Sequence, residues 1–347
     1  MIQKDHTIEM DATVKDALNK LNELDIGSMT LFVIRDKEIV GTVTDGDIRR
    51  GLLKQVDLSD PVSSIMNRRF RFLSEENFKV EELKQLREKK ILLLPVLNRQ
   101  KELIDIIDLT EKRSWLPIDV LIMAGGEGKR LRPLTLKTPK PMLIVGKKPI
   151  LEHNIDRLIQ FGVKKFHISV KYLKEKIVNH FKEGTSKNIE IDYVIETKAL
   201  GTIGALSLIE DLKHDYVLVM NADVLTNIDF EDMLLALEKE YADMIVASSP
   251  YEVKVPYGVL EMDERRITGL IEKPIYTYFS NAGVYIIRKD ALRYLKRNEK
   301  INATDFMDIL IANNRRVINY PILGYWLDIG SIESFEKAQD DIKHLDL

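Results

Sequence analysis

The apolar run at residues 118–124 constrains the fold of this chain more than any other segment. A strand that is apolar along almost its whole length is typical of a sheet covered on both faces. Segments with strand and helix periodicity alternate after it, with strands at 166–172, 189–195 and 216–220 and helices at 150–161, 173–181 and 203–211. This alternation predicts an α/β domain with a Rossmann-like, doubly wound mixed sheet. Further strands at 244–248, 258–262, 267–272 and 281–287 predict an added β section forming the far wall of a cleft.

An internal repeat occupies residues 1–113. A helix pattern followed by a strand hairpin occurs twice, with the helices at 14–24 and 80–86. Such a unit cannot close a core alone, so we expect two copies to pack together as an α+β pair. The pattern breaks at residues 113–117, which predicts one domain at 1–113 and a second at 118–347.

Composition excludes several classes of protein. The chain has 347 residues, more than one hydrophobic core usually holds, and its formal net charge of -3 gives no indication of a nucleic-acid or anionic-membrane partner. The absence of cysteine excludes disulfides and thiolate chemistry. The N-terminus lacks the apolar core of a signal peptide, and no apolar run reaches the ~20 residues that span a bilayer. We therefore expect a cytoplasmic protein without a membrane segment.

A glycine-rich loop directly follows the first strand of the second domain. Gly125, Gly126 and Gly128 let the backbone turn sharply and present N–H groups to an anion. Three basic residues follow within the next four positions, and Lys140 stands between two prolines that stiffen an extended segment. The loop is neither G-x-G-x-x-G nor a P-loop, which disfavours a dinucleotide fold and an ATPase. The pattern predicts a phosphate site, and a plain turn with solvated charges is the alternative.

These residues carry a family resemblance. The run Gly-Gly-x-Gly-x-Arg-Leu-x-Pro-Leu-Thr at 125–135, followed by Pro-Lys-Pro-Met at 139–142, resembles the signature of sugar-1-phosphate nucleotidyltransferases. The resemblance continues in order through residues 118–347. It implies transfer of a nucleotidyl group from a nucleoside triphosphate to a sugar 1-phosphate. It also implies that Arg130 and Lys140 are catalytic and that the loop binds the nucleotide through Ala124, Gly125, Gly126 and Gly128.

The resemblance implies a magnesium site and a base site. Asp223, in Asn-Ala-Asp after the strand at 216–220, and Asp328, in Trp-Leu-Asp-Ile-Gly, match the two aspartates that hold Mg²⁺. The loop with Gly201, Thr202 and Gly204 is similar to the segment that meets the base. Its Leu-Gly-Thr-x-Gly-Ala form resembles guanylyltransferases, so GTP is favoured, and uridylyl-, thymidylyl- or cytidylyltransferases are the alternatives.

The sugar-side residues come from three short motifs. By resemblance Lys273 is catalytic and holds the sugar phosphate, while the hydroxyl groups meet Tyr257, Gly258, Glu272 and Asn281. A solvated strand end is the alternative for Glu-Lys-Pro at 272–274. A phosphate monoester is already ionised at neutral pH, so the reaction needs no general base. A non-catalytic nucleotide-sensing protein is a further alternative.

The N-terminal repeat resembles a pair of CBS motifs through Gly-Thr-Val-Thr-Asp-Gly-Asp-Ile-Arg-Arg at 41–50. The resemblance implies that Thr44 and Asp47 contact the ribose of an adenine or guanine nucleotide. The second repeat has Asp108 and Glu111 instead, which adds negative charge near any phosphate. A dimerisation module without a ligand is the alternative, and we expect a homo-oligomer. The fusion is similar to CBS-linked enzymes that make GDP-glucosamine for nonulosonic acid synthesis, and a GDP-mannose type is also expected.

Overall fold

Two compact units make up the computed structural model, which describes residues 5–24, 29–74 and 79–345. The first unit comprises Met1–Leu116 with Gln160–Gly162, and the second comprises Pro117–Ile159 with Val163–Leu347. The division falls within the segment where the sequence periodicity breaks. No helix among the described residues combines the length and apolar character needed to cross a membrane.

The first unit contains two copies of a small three-stranded sheet. Its strands are β1 (Thr7–Glu9), β2 (Thr30–Arg35), β3 (Glu38–Thr44), β4 (Leu73–Ser74), β5 (Leu93–Leu97) and β6 (Leu103–Asp108). Its helices are α1 (Val14–Glu23), α2 (Asp45–Leu53) and α3 (Val80–Glu88). In each sheet the middle strand runs parallel to the first and antiparallel to the third. The apolar side chains of Phe32, Ile39, Leu93, Leu97 and Ile106 pack together in one buried cluster, so the two copies share a core.

The second unit is built on a seven-stranded mixed sheet, with three two-stranded sheets beside it. The strands of the whole unit are β7 (Ile118–Met123), β8 (Ile144–Val145), β9 (Lys148–Pro149), β10 (Lys165–Val170), β11 (Glu190–Ile195), β12 (Tyr216–Asn221), β13 (Val224–Thr226), β14 (Met244–Lys254), β15 (Val259–Asp263), β16 (Arg266–Ile271), β17 (Ile275–Arg288), β18 (Val317–Pro321) and β19 (Trp326–Asp328). The helices are α4 (Ile150–Gln160), α5 (Lys174–Phe181), α6 (Phe230–Lys239), α7 (Ala303–Ala312) and α8 (Ile332–Asp341).

The large sheet has the order β11-β10-β7-β12-β17-β14-β18. The strands β11, β10, β7 and β12 are parallel, and β17 is antiparallel to both of its neighbours. The predicted α/β class with a mixed sheet is therefore confirmed. The core beneath this sheet contains Leu121, Val219, Ile287 and Phe306, which are fully or almost fully buried.

Two local predictions were wrong. The helix expected at 203–211 is a short 3-10 turn, Gly204–Leu208, because its backbone makes i to i+3 hydrogen bonds such as Leu206 N–H to Ile203 O. The segment around Lys140 is not extended, since Lys140–Met142 forms another 3-10 turn after an extended Pro139.

A β arm extends the large sheet beyond its core. β14 and β17 are longer than predicted, and they pair in register from Ser248↔Asn281 to Lys254↔Ile275. The hairpin of β15 and β16 lies in the connection between them. We call residues 250–280 the arm, and every residue in it is exposed or half-buried.

Candidate active site

The loop and the aspartate segment meet at one edge of the sheet. β7 and β12 are adjacent and parallel, with Met123 opposite Asn221, so both strands end at the same level. The glycine loop begins directly after Met123, and Asp223 follows Asn221 by two residues. Ala222 N–H donates to Met123 O at 3.2 Å, which holds the two segments together. Ligands of open α/β sheets bind at this carboxyl edge.

Buried apolar side chains hold the loop in place beside its polar residues. Leu131, next to Arg130, is 1% exposed and packs in one cluster with Leu225 and Ile329. Ile329 in turn follows Asp328 directly. The apolar neighbours of Arg130 and Asp328 therefore share one core, which restrains the backbone from which these two polar side chains project.

A cavity of about 260 Å³ lies in front of the loop. The predicted residues that line it are Ala124, Gly126, Gly128, Arg130, Lys140 and Asp223. Gly125 is not among the lining residues. Instead, an alanine there would place its Cβ 3.1 Å from Glu196 Oε1, so Gly125 packs against that carboxylate.

Lys140 joins the two predicted metal aspartates. Its ammonium hydrogen-bonds to Asp223 Oδ2, and its Nζ lies 3.6 Å from Asp328 Oδ1. The strand pair β13–β19 brings the aspartates together, because Val224 stands opposite Asp328 and Ile329 N–H donates to Asp223 O at 3.1 Å. Two carboxylates from distant parts of the chain thus share one cation.

Electrostatics at the carboxylate pair favour a further positive charge. Burial, and next the negative charge of Asp223, raise the pKa of the Asp328 carboxyl above its usual value, while Lys140 and Arg130 act in the opposite direction. A carboxylate whose ionised form is disfavoured in this way is stabilised by a cation. Both the Asp328 carboxylate and the Arg130 guanidinium lie beside Gly330, where an added Cβ would be 3.2 Å from Asp328 Oδ2 and 3.3 Å from Arg130 Nη2.

A second cavity, of about 360 Å³, lies next to the strand pair β13–β19, which contributes Val224 and Asp328 to its lining. Its described lining residues are Thr202, Asn221, Val224, Asn281, Ala282, Gly283, Tyr285, Asn302, Thr304, Trp326 and Asp328. Asp328 is the only charged residue in that set. The Asn281 Oδ1 accepts from Gly283 N–H at 2.9 Å and from Tyr285 O–H at 3.0 Å. Asp223 therefore lines a cavity together with Lys140 and Arg130, whereas Asp328 lines a polar cavity whose described lining residues include no cation.

The predicted base segment contacts protein in this structure. Gly201 and Gly204 line neither cavity, and an alanine at Gly201 would place its Cβ 2.3 Å from Ile301 O. Thr202 lines the second cavity, where its Oγ1 accepts from Ala303 N–H at 2.8 Å. These glycines permit close approach of the backbone at 299–301, a role that the sequence did not indicate.

The structure does not bring four of the predicted sugar-side residues to the cavities. Tyr257, Gly258, Glu272 and Lys273 lie in the arm, and none of them lines either cavity. Tyr257 is 74% exposed. Gly258 and Glu272 are neighbours, since a Cβ at Gly258 would lie 3.1 Å from Glu272 Oε2.

Some site residues were missed by the sequence reasoning. Glu196 is buried, hydrogen-bonds to Ser169 Oγ and accepts from Leu200 N–H at 3.0 Å. Asn302 and Thr304 line the second cavity from the start of α7. No motif surrounds Asn302 and Thr304, and the position of α7 against the sheet brings them to the site.

Thr44 and Asp47 in the first unit form a reciprocal helix cap. Thr44 Oγ1 accepts from Asp47 N–H at 3.2 Å, while Asp47 Oδ2 accepts from Thr44 N–H at 3.0 Å and from its hydroxyl at 2.7 Å. This capping box begins α2. In the second copy β6 is followed by a turn, not by a helix. The second copy, which has Asp108 and Glu111 in place of Thr44 and Asp47, thus has no helix that corresponds to α2 among its described residues.

Another acidic group lies away from both cavities. His167, Asp192 and Asp211 have ligand-type atoms within 4.8 Å of one another. Lys165 pairs with both carboxylates, and its hydrogen bond to Asp211 is the main reason that the pKa of Lys165 is raised. The ammonium group of Lys165 therefore already compensates the negative charges of Asp192 and Asp211.

Comparison with known protein families agrees with the fold. A nucleotidyl transferase family model matches residues 119–344, and a CBS domain model matches residues 1–54. The first match covers the whole sheet and both cavities. The chain belongs to the nucleotidyl transferase family and carries an N-terminal CBS domain.

Individual relatives are similar to this chain over part of their length. The chain is 31% identical to a mannose-1-phosphate guanyltransferase of Yarrowia lipolytica over 62% of its own length and 61% of that protein. It is 34% identical to the bifunctional protein GlmU of Methanococcus maripaludis over 61% of its length and 51% of that protein. Both matches thus span less than two thirds of the relative.

Solved structures share the fold. HddC from Yersinia pseudotuberculosis superposes with a TM-score of 0.52 at 25% identity, over 65% of this chain and 99% of that one. A structure of HddC complexed with GMP-PN gives a TM-score of 0.50 at 26% identity, with the same coverage.

Proposed function

We propose that this chain is a sugar-1-phosphate nucleotidyltransferase that takes GTP and a sugar 1-phosphate and releases an NDP-sugar and pyrophosphate. One observation carries the proposal: Lys140 contacts both Asp223 and Asp328 at the wall of a cavity lined by the glycine loop and Arg130. The loop supplies backbone N–H groups for a triphosphate. The sequence relationship to enzymes named as guanyltransferases supports the reaction class.

The site fits a divalent cation, Mg²⁺ in our proposal. Asp223 and Asp328 already share the ammonium of Lys140, so their carboxylates lie close enough to share an ion. Hard carboxylate and phosphate oxygens are the ligands that Mg²⁺ prefers. When bound, the ion would neutralise charge on the triphosphate.

The chain's own residues position the two anions. A sugar-phosphate oxygen forms a bond to the α-phosphorus, and the bond from that phosphorus to the β-bridging oxygen breaks, so pyrophosphate leaves without net proton transfer at neutral pH. Arg130 binds the departing phosphates, and Lys140 binds near the α-phosphate. Such fixed charges supply catalysis because they need no reorganisation during the reaction.

The two cavities suggest a division of substrates. The nucleotide occupies the loop cavity, and the sugar occupies the second cavity, where Asn281 and Thr304 offer polar contacts to hydroxyl groups. The relative named as a mannose-1-phosphate guanyltransferase favours mannose 1-phosphate. The resemblance of the fusion to CBS-linked enzymes that make GDP-glucosamine favours glucosamine 1-phosphate. The base preference for guanine is supported by the HddC complex with GMP-PN.

We also propose that the CBS unit binds an adenine or guanine nucleotide at Thr44 and Asp47. The two residues begin α2, and the positive end of a helix dipole favours an anionic ligand. The unit would then report nucleotide levels to a homo-oligomeric enzyme.

A substrate panel tests the proposal. Four nucleoside triphosphates are combined with mannose, glucose and glucosamine 1-phosphates, and pyrophosphate release is measured with Mg²⁺ and with EDTA. We expect the highest turnover with GTP and no turnover with EDTA. A different preferred triphosphate would identify a uridylyl-, thymidylyl- or cytidylyltransferase. Nucleotide binding without pyrophosphate release in any combination would identify a nucleotide sensor instead.

Asp223→Asn tests the carboxylate pair. The amide keeps the shape but loses the charge, so we expect turnover to fall by roughly 100-fold or more while the melting temperature stays within a few degrees. Asp308→Asn, on the exposed side of α7, is the matched control and should leave turnover unchanged. Equal activity of both variants would contradict the assignment.

A further inference from the structure

A third cavity, of about 380 Å³, lies beside β11, the edge strand of the large sheet. Its lining comes from β10, from β11 and from residues 208–211, which follow the 3-10 turn on the same side of the sheet. His167, Asp192 and Asp211 belong to this lining, and their ligand-type atoms lie within 4.8 Å of one another. None of the described lining residues is shared with the other two cavities, so this cavity is separate from the proposed transferase site.

The sheet brings the histidine and the first aspartate together. His167 stands opposite Asp192 in the parallel pair β10–β11, so their side chains lie on the same face. The His167 Nδ1 lies 3.9 Å from Asp192 Oδ2. Two ligands bound to one Zn²⁺ ion at about 2.1 Å are roughly 3.4 Å apart in a tetrahedral site. A small rotation of the half-buried Asp192 side chain therefore lets both atoms bind one ion.

The imidazole of His167 lacks the hydrogen bonds that a buried ring normally has. Its side chain is 3% exposed, and no described group hydrogen-bonds to its Nε2. Its Nδ1 faces the Asp192 carboxylate from beyond hydrogen-bond distance. Buried polar groups almost always have a partner, and a bound ion is one explanation for an exception. The ring is thus available to a ligand in the cavity.

Lys165 shows that the two carboxylates can share one cation. Its Nζ lies 3.0 Å from Asp192 Oδ2 and hydrogen-bonds to Asp211 Oδ2. The ammonium makes no hydrogen bond to His167 among the described residues, so it uses two of the three groups. A metal ion would bind all three. It would therefore compete with Lys165 for the carboxylates and gain the imidazole as an additional ligand.

The chemistry of the three groups selects the kind of metal. Imidazole suits Zn²⁺ and its transition-metal neighbours, whereas Mg²⁺ prefers oxygen ligands alone. One imidazole and two carboxylates occupy three positions of a tetrahedral zinc site and leave the fourth to water from the cavity.

We propose that His167, Asp192 and Asp211 bind one Zn²⁺ ion in the third cavity, in competition with Lys165. The ion would connect β10 and β11 to residues 208–211, which lie a few residues after the loop that carries Gly204. Because the unfolded chain does not assemble these ligands, bound zinc would stabilise the folded unit.

Zinc titration of a chain whose proposed magnesium site is disabled tests the inference. Full-length, untagged Asp223→Asn protein is freed of metal with a chelator and titrated with Zn²⁺ in excess Mg²⁺ by isothermal titration calorimetry. We expect one zinc ion per chain. Adding Asp211→Asn, a change of an exposed side chain, should weaken binding by roughly 100-fold or more, because even changes behind a metal ligand cost 10–100-fold.

Glu210→Gln is the matched control for Asp211→Asn. Glu210 is an exposed acidic residue that lines the same cavity but lies outside the group of three. In the Asp223→Asn chain, Glu210→Gln should leave zinc binding unchanged. Absence of zinc binding by the Asp223→Asn chain, or equal binding with and without Asp211→Asn, overturns the site. Neither result bears on pyrophosphate release, so the proposed function is tested separately.

Histidine NMR identifies the nitrogen ligand directly. The chain has six histidines, and His167→Gln assigns the resonances of one of them. We expect Zn²⁺ to shift the ring resonances of His167. A titration in which other histidines shift and His167 does not overturns the assignment and indicates adventitious surface binding.

Lys165→Leu tests the competition. The variant keeps an apolar stem but removes the ammonium that shares the two carboxylates. We expect zinc to bind at least about fivefold more tightly, since an ion pair of this strength no longer has to be broken. Unchanged or weaker binding would contradict the role of Lys165 as the competitor.

Discussion

Lys140 is 8% exposed, which is unusual for a lysine, and its surroundings explain why the chain tolerates it. Two carboxylates compensate its charge, and the turn that begins at Lys140 places it under the glycine loop. The loop itself depends on Gly128, which has a φ of 62°. A Cβ at that position would lie 3.0 Å from both the Lys140 Cβ and the Thr135 Cγ2. The position of the Lys140 side chain thus depends on the absence of a Cβ at Gly128.

Gly128→Ala tests this dependence. We expect the free energy of unfolding to fall by about 1–3 kcal/mol because the left-handed backbone and the crowding both oppose a side chain. Gly126→Ala is the matched control, since nothing lies within 4 Å of its Cβ position and we expect a change within ~0.5 kcal/mol. Urea denaturation measures both. Equal losses in the two variants would show that position 128 is not specially constrained.

At the scale of the element, β7 carries a buried carboxylate near its start. Asp119 is 2% exposed, and its Oδ2 accepts from His214 N–H at 2.8 Å. Burial alone would raise the pKa of Asp119, but the hydrogen bonds from His214 outweigh it and lower the pKa below its usual value. The strand is thereby fastened to the segment before β12, its neighbour in the sheet.

Asp119→Asn tests the fastening and its pH dependence. The folded pKa is lowered, so the carboxylate contributes stability above its unfolded pKa of about 3.9, and that stability is lost as the pH falls through the folded value. We expect the variant to be less stable by about 1–3 kcal/mol at pH 7. The difference from wild type should shrink at pH 3, as urea denaturation at both values will measure. A difference that is independent of pH would contradict the carboxylate's role.

The elements that could be predicted from the sequence are those whose apolar residues recur with the period of a strand or a helix. The strand at 118–124 and the helix at 150–161 were recognisable because their apolar residues face a core. The arm extensions of β14 and β17 were not predicted, since strand pairing rather than burial holds them. The loop and the aspartates could be placed by resemblance, but Asn302 reaches its cavity only through tertiary packing.

At the scale of the whole molecule, the chain joins a CBS unit to a nucleotidyl transferase unit. The first unit contains two matching capping boxes, Thr13 with Asp16 at α1 and Thr44 with Asp47 at α2. The chemistry of the two caps is the same, and the resemblance gives a ligand to the second alone. Comparing the two caps therefore distinguishes the contribution of a cap to stability from its contribution to ligand binding.

Thr44→Ala and Thr13→Ala test the proposed CBS ligand together. Each should cost about 1 kcal/mol of stability through the lost cap. A nucleotide that binds only the folded protein raises the melting temperature, so adenine nucleotides, which the proposed guanine-preferring site does not favour, should stabilise wild type and Thr13→Ala but not Thr44→Ala. Differential scanning fluorimetry measures all three. The absence of any nucleotide-dependent shift in wild type would instead favour a dimerisation module.

β17 crosses from the hydrophobic core into the arm without interruption. Its buried half lies beside β12, whose end leads to Asp223, and its exposed half carries large apolar side chains. Asn281 and the arm therefore belong to one strand and to one ladder with β14. A change in the pairing of the arm would therefore also alter the position of Asn281 at the edge of the second cavity.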